Sequence, residues 1–519
     1  MSEGRTTPTF WLADRRGPAI VGVLTALAVW WVWAATAGVP VMHDEWAYWL
    51  QAGQYAHGAW SQAAPVIPEF FEQMYVLVTP VFAAKYPPGH AIVIALGFML
   101  GWPMLMPLVL SGLTGGLVFA LARRVRGGGV ALATWLFWLG TFGNLRWRAS
   151  YFSEVTSSLC WLVAWWALLE WRASRRRAPM VVLALSIGWC AVTRPYTAVA
   201  LAIPIAGVVI VDLVRLGSWR GNWRDTWRES VRTMAIGIAT GTMVLLVLPL
   251  WSWRTKGNLK ETPLATYTRQ YLPFDVPGLR VDLAPPERAV PAEMEQVRAF
   301  LRGVKEQQVR EPFVRTIAWR TLGVALHTFD AWRLPLLVCF LIGLAALGAP
   351  GWLALGTGIL LIVSYGVQAH SPDWTLYYLE ALPALAYATA CGARRLLALT
   401  SAGLRVAPFA AVLVAGLVVR DIGNARKLVG RLSEGPRTFV ASVAALPKRP
   451  NVVFVRYAPD RGAGSLHLSL VANDGVLDTA PSWIVHDRGN DNRRLLLATP
   501  NRTAYLYDES TRTFSEIAR

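Results

Sequence analysis

The run Pro40-Val-Met-His43-Asp44-Glu45-Trp46-Ala-Tyr48-Trp49, carried on to Lys85-Tyr86-Pro87-Pro88-Gly89-His90, decides how the chain is read. It is the longest early stretch that cannot sit in lipid, and apolar runs flank it on both sides. Asp44 to Gly58 predicts a helix whose Trp46, Tyr48, Trp49 and Tyr55 suit a membrane–water interface. The two prolines after Lys85 stiffen the chain and exclude regular helix up to that point. From His90 to Gly101 the apolar run has only about twelve residues, too short to span a bilayer, and predicts a re-entrant or interfacial helix. Residues 39–102 are therefore expected as one loop on the outer side of a membrane.

Working outward, the composition supports the same reading. The chain is 54% hydrophobic and 16% charged, well below the charged fraction of soluble domains. The net charge of +18 would suit nucleic acid if it formed a patch. Instead it lies in short clusters between apolar runs, at 123–126, 172–177, 215–232 and 394–395, which the positive-inside rule places in cytoplasmic loops together with Arg5, Arg15 and Arg16. No nucleic-acid partner is expected. Counting runs of sufficient length gives about eleven spans, in an all-α polytopic membrane protein. The four cysteines, Cys160, Cys190, Cys339 and Cys391, all fall in spans and form no CxxC, which argues against disulfides and zinc-thiolate sites.

Two segments complete the layout. Residues 254–320 form a second polar loop on the outer side, and 1–425 make up the membrane domain with its loops. Residues 426–519 are expected to form a small α/β domain, with strands at Asn451–Arg456 and Arg494–Ala498. The 215–232 loop, with Trp219, Trp223 and Trp227 four apart, reads as a positive-inside anchor or an amphipathic helix on the inner leaflet.

Ionisable groups from separate loops fall on the outer face. Asp44 and Glu45 open the first loop, as helix-capping acids or as a catalytic base and its companion ligand. Lys85 is a point charge suited to a phosphate, or else a snorkelling interfacial lysine. Glu154 opens the fourth span, where Arg146 and Arg148 are its nearest candidate ion-pair partners. Arg194, His370, Asp373, Tyr377 and Tyr378 emerge on the same side. A transporter or flippase of a lipid-linked substrate, the alternative reading, would place such groups near the bilayer midplane, where this chain has few.

The order of these pieces resembles the GT-C superfamily of polyprenyl-phosphate-sugar glycosyltransferases, in particular the aminoarabinose transferase, protein O-mannosyltransferase and Rgt-like groups. The residues that carry the resemblance are Asp44-Glu45-Trp-Ala-Tyr48, Pro65-Val-Ile-Pro-Glu69, Lys85-Tyr-Pro-Pro-Gly-His90, Thr193-Arg-Pro-Tyr196 and Tyr378-Leu-Glu380-Ala-Leu-Pro383. Tyr86 and His90 depart from the Lys-Pro-Pro-Leu pattern of the aminoarabinose and mannosyl enzymes. The resemblance implies a multi-pass protein of the bacterial inner membrane with its active site on the extracytoplasmic side. It implies transfer of a sugar from a lipid-linked donor to a lipid, glycan or protein acceptor, with inversion. Asp44 would be the base, with Glu45 and Glu154 as further acids. Lys85, Tyr86, His90, Arg194, His370 and Tyr378 would bind substrate and its phosphate. A divalent metal (Mg, Mn or Zn) on Asp44 and Glu154 completes the expected site.

Overall fold

The structure is a computed structural model describing residues 16–219, 223–330, 333–399, 403–459 and 468–518. Arg5 and Arg15 lie outside the described residues, as does the middle of the basic 215–232 loop. The described elements in chain order are α1 (Gly17–Trp33), α2 (His43–Ala56), β1 (Gln62–Ala63), β2 (Val76–Leu77), β3 (Val81–Ala84), α3 (Gly89–Met99), α4 (Leu105–Arg126), α5 (Gly128–Leu139) and α6 (Phe142–Arg148). There follow α7 (Glu154–Ser174), α8 (Arg177–Thr193), α9 (Pro195–Trp219), α10 (Trp223–Leu245), α11 (Val247–Lys256), α12 (Pro263–Tyr271), α13 (Ala292–Arg310) and α14 (Phe313–Thr328). The chain ends with α15 (Leu334–Leu344), α16 (Gly348–Ser364), α17 (Leu382–Leu399), α18 (Gly403–Ala444), β4 (Asn451–Arg456), β5 (Ser482–His486), α19 (Asn492–Ala498), β6 (Thr503–Asp508) and β7 (Thr513–Glu516).

Five helical stretches among the described residues are long and apolar enough to cross a membrane: 17–36, 105–126, 195–215, 228–256 and 348–367. Shorter apolar helices, α3, α5, α8 and α15, accompany them. Helices lie where spans were expected, five of them long and apolar enough to cross against the about eleven read from the sequence, and α3 has the short length read for an interfacial segment. On α1, Val23, Leu24, Leu27, Trp30 and Trp31 face outward, whereas Val21, Thr25, Val29 and Val32 are buried against the bundle. Small residues let α1 meet α4 backbone to backbone: a Cβ on Gly112 would stand 2.9 Å from the Gly22 carbonyl oxygen. This is the packing available to helices in lipid, where close contact replaces the hydrophobic drive.

The basic clusters gather at one end of the bundle. Arg394 donates to the Arg126 carbonyl at 3.1 Å, Arg124 pairs with Glu170, Arg172 and Arg175 pair with Asp212, and Arg177 pairs with Glu229.

At the other end the two polar segments and the C-terminal region merge into one layer. β4 is flanked by β5 and β6, both parallel to it, and β7 runs antiparallel to β6. This small α/β unit shares its core with the first loop, because Phe70, Phe71, Val76 and Phe82 pack with Val452, Phe454, Val485 and Ala504. α18 runs for 42 residues, through position 425 and into this layer. The expected strand at Asn451–Arg456 is β4. The one expected at Arg494–Ala498 lies instead in α19, with Leu495 buried and Leu497 exposed. Positions two apart share a face in a strand and oppose one another in a helix, so a buried Leu495 with an exposed Leu497 fits a short surface helix.

Candidate active site

α2 begins where the chain leaves α1, and its first turn carries both acids. Glu45 turns inward. Its Oε1 accepts from the Val41 and Met42 N–H groups at 3.3 and 3.2 Å, and its Oε2 from the Tyr151 N–H at 3.2 Å. It thus caps its own helix and clamps the turn that leads into α7. Burial lifts its carboxyl from the ordinary 4.5 to about 7, against the pull of those three backbone donors. Asp44 faces the other way and is half-buried; its Oδ1 accepts from the Tyr86 hydroxyl.

Lys85 sits beside this pair. Its N–H donates to the Tyr75 carbonyl at 3.0 Å, and its Nζ lies 4.1 Å from the centre of the Tyr75 ring, 5.1 Å from Tyr267 and 5.3 Å from Tyr86. Aromatic faces attract a cation through their quadrupole, so the three rings form a cage that holds the ammonium without neutralising it. Tyr75 adopts φ 67°, a left-handed conformation that costs a non-glycine residue about 1–2 kcal/mol. The Tyr267 hydroxyl, accepting from the Tyr75 N–H at 2.8 Å, supports that conformation. Among the described residues Lys85 has no carboxylate within 4 Å, although Asp275 and Asp44 lie within electrostatic reach. Burial pulls its ammonium below the ordinary lysine value, and the two acids oppose that pull.

A second cluster lies close by. Arg194, between α8 and α9, pairs with Glu154 at the start of α7. It also donates to the Tyr365 hydroxyl at 2.8 and 3.1 Å and to Ser153 Oγ at 3.2 Å. The expected partners of Glu154 are engaged elsewhere. Arg148 Nε donates to Asn144 at 2.6 Å over the Trp138 ring, and Arg146 stacks on Trp147. His370 bonds the Tyr378 hydroxyl at 2.7 Å and packs at a 43° tilt against Tyr377 with centroids 4.5 Å apart. Burial lowers the pKa of His370 and keeps it neutral. Tyr377 feels the charges of Asp44, Arg194 and Glu154, which joins the two clusters.

His90 stands apart from the polar face. It is fully buried, with Nδ1 2.7 Å from Thr156 Oγ1 and Nε2 2.9 Å from the Tyr151 carbonyl. The carbonyl requires Nε2 to donate, so both ring nitrogens are used in tying α3 to α7. Tyr86 stacks on Tyr48 with centroids 4.5 Å apart.

The acids do not fit the metal expected on Asp44 and Glu154. Glu154 is engaged by Arg194 and Ser153, and Glu45 by three backbone N–H groups. Among the described residues no group of three or more His, Cys, Asp or Glu side chains is arranged to hold an ion.

Sequence reading missed Tyr75, Tyr267, Asp275 and Tyr365. The signal available was modest: an aromatic pair at helical spacing, Tyr267 and Tyr271, in an otherwise polar loop.

An apolar helical bundle, an acid pair after its first helix and a caged lysine before the next define the fold class that the resemblance implied. Among solved structures the chain is similar to ArnT from Cupriavidus metallidurans bound to undecaprenyl phosphate, with TM-score 0.54 and 16% identity over 96% of this chain and 94% of that one. It is also similar to the apo state of that ArnT, with TM-score 0.51 and 16% identity over 95% and 93%. The match spans bundle and polar layer together, so the chain has the fold of ArnT. No family model matches the sequence, and no curated protein does.

Proposed function

We propose that this chain is a multi-pass membrane glycosyltransferase that moves a sugar from a polyprenyl-phosphate donor to an acceptor on the extracytoplasmic side of the bacterial inner membrane. The observation that carries the reading is Lys85, a buried ammonium caged by three tyrosines, with Asp44 in electrostatic reach and, among the described residues, no carboxylate within 4 Å. A buried cation without an ion-pair partner is costly, and a bound phosphate monoanion would relieve that cost. The ArnT of the same fold binds undecaprenyl phosphate, which supports a lipid phosphate as the occupant.

In this reading Asp44 takes the proton from the acceptor hydroxyl, whose oxygen attacks the anomeric carbon. The bond from that carbon to the phosphate oxygen breaks, and its electron pair leaves on the lipid phosphate beside Lys85. One displacement inverts the anomeric configuration. Tyr86 holds the Asp44 carboxylate in place, while Arg194, Tyr365 and Glu154 form a fixed wall of the niche. A cation that meets a leaving group's developing charge contributes about 3–4 kcal/mol.

The test is transfer of radiolabelled sugar from polyprenyl-phosphate donors by the purified chain in lipid. Asp44→Asn keeps the acceptor of the Tyr86 hydrogen bond and should fold, yet transfer should fall by about 10²–10⁴-fold, the range of general-base catalysis. Full turnover by that variant would remove Asp44 from its role. Equal signals from wild type, Asp44→Asn and Lys85→Ala would return the reading to a transporter of lipid-linked substrate.

A further inference from the structure

Outside the candidate active site, the largest unexplained feature is a crevice where α13 faces the carboxyl ends of β4 and β5. Its volume is about 460 Å³, within the range of small-molecule sites. Open α/β sheets bind ligands in just this location, outside the carboxyl ends of parallel strands. Gln296 and Arg488 stand exposed on opposite walls, with Asp491 beside Arg488 and the half-buried Tyr457 between the walls. Arg456 and Asp487 are paired with each other at 2.7 Å, and Asp487 also accepts from Asn492 at 2.6 Å, so that wall is rigid.

Beneath its floor lies a second cavity, of only about 10 Å³. His486 and Glu293, which pair at the crevice floor, also line this smaller cavity, with Gln73, Ser469 and His43. His43 directly precedes Asp44. Gln73 is 2% exposed, and its Oε1 accepts from the Asn473 N–H at 3.4 Å, while its Nε2 has no hydrogen-bond partner. A buried amide nitrogen left unpaired is expensive, and a cavity of that size admits no more than one hydroxyl-sized group.

The lining alternates donors and acceptors instead of presenting one sign of charge. Arginine and amide N–H groups lie among carboxylates, with one aromatic face. That pattern suits hydroxyl groups, which both donate and accept, better than a phosphate or a metal ion. We propose that this crevice is a binding subsite for a saccharide, which in the transferase reading is the acceptor glycan. The acceptor role rests on the transferase reading above, whereas the saccharide site stands on its own geometry.

The test titrates the full chain in lipid nanodiscs with two soluble oligosaccharides, neutral maltoheptaose and an acidic oligogalacturonate, by calorimetry. Binding of either sugar should weaken by roughly tenfold or more in Gln296→Ala/Arg488→Ala, which removes the hydrogen-bonding groups of two walls together with the contacts of Arg488 to the Glu69 carbonyl and the Phe70 ring. Gln73→Leu, in the separate cavity beneath the floor, should leave it unchanged. Donor consumption is followed in the same samples as the readout of transferase activity in the wild type. Absence of binding to wild type by both sugars, or equal binding by all variants, overturns the subsite even if donor is consumed. Variant-sensitive binding without donor turnover by wild type would keep the subsite and sink the transferase reading instead.

Discussion

Arg124 and Arg194 show how the two ends of the bundle differ. Each makes an ion pair with a glutamate, Glu170 in one case and Glu154 in the other. At the basic end the side chains of Arg124 and Glu170 are 34% and 36% exposed; at the site end those of Arg194 and Glu154 are 9% and 1% exposed. Water screens the first pair and leaves the arginine free to serve topology. The second pair has lost its water and must be held by Tyr365, Ser153 and Thr197. Similar residue types therefore do different work: orienting the chain at one end, and building a fixed electrostatic wall at the other.

The largest effect expected from this contrast is on folding. Arg194→Ala should destabilise the chain by about 3–5 kcal/mol, because it strands a buried carboxylate. Thermal unfolding in detergent measures it; a loss no larger than that of Arg124→Ala would erase the distinction between the two ends. Next is Lys85→Ala, which should lower kcat/KM for the lipid donor by about 10²–10³-fold with little change in melting temperature. Its ionisation gives a finer test. Because burial depresses the Lys85 pKa, donor binding should weaken as pH rises through a value below the ordinary 10.5, while a bound phosphate draws the proton back. A donor KM that stays flat with pH up to the ordinary lysine range would count against the cage.

Glu45 sharpens the comparison from the structural side. Its folded pKa of about 7 lies above the ordinary 4.5, so the folded chain holds a proton that the unfolded chain releases between those values. The stability linked to this group is full below about 4.5 and is lost as pH rises towards 7. Glu45→Gln should flatten that slope in melting temperature against pH; an unchanged slope would assign it to other groups. The smallest effect is that of Arg124→Ala, roughly 0–1 kcal/mol and reduced further by salt.

Much of the site was legible because its pieces follow local rules. Asp44 and Glu45 open a helix that the first loop had to form, and Lys85 is fixed by the prolines after it. The partners were not legible. Tyr267 reaches Tyr75 across 192 residues, and Arg194 reaches Tyr365 across 171. No periodicity encodes contacts of that range. Proximity in sequence even misled, since Arg146 and Arg148 stand nearer to Glu154 along the chain than Arg194, yet each turns onto a tryptophan. Neighbouring acids diverged for a related reason: α2 needs one carboxylate at its buried N-terminus, and Glu45 has the reach to supply it.

By itself the sequence determined that this is a polytopic helical bundle with basic loops at one end and acids and aromatics at the other. Hydropathy and charge act locally, and each span reports its own preference for lipid. Only the tertiary structure decided that Glu45 is a clamp, that Glu154 belongs to Arg194, that three tyrosines from two loops enclose Lys85, and that the C-terminal sheet shares a core with the first loop. Those outcomes depend on which surfaces remain to be buried once the helices have packed, a choice made by the whole chain at once.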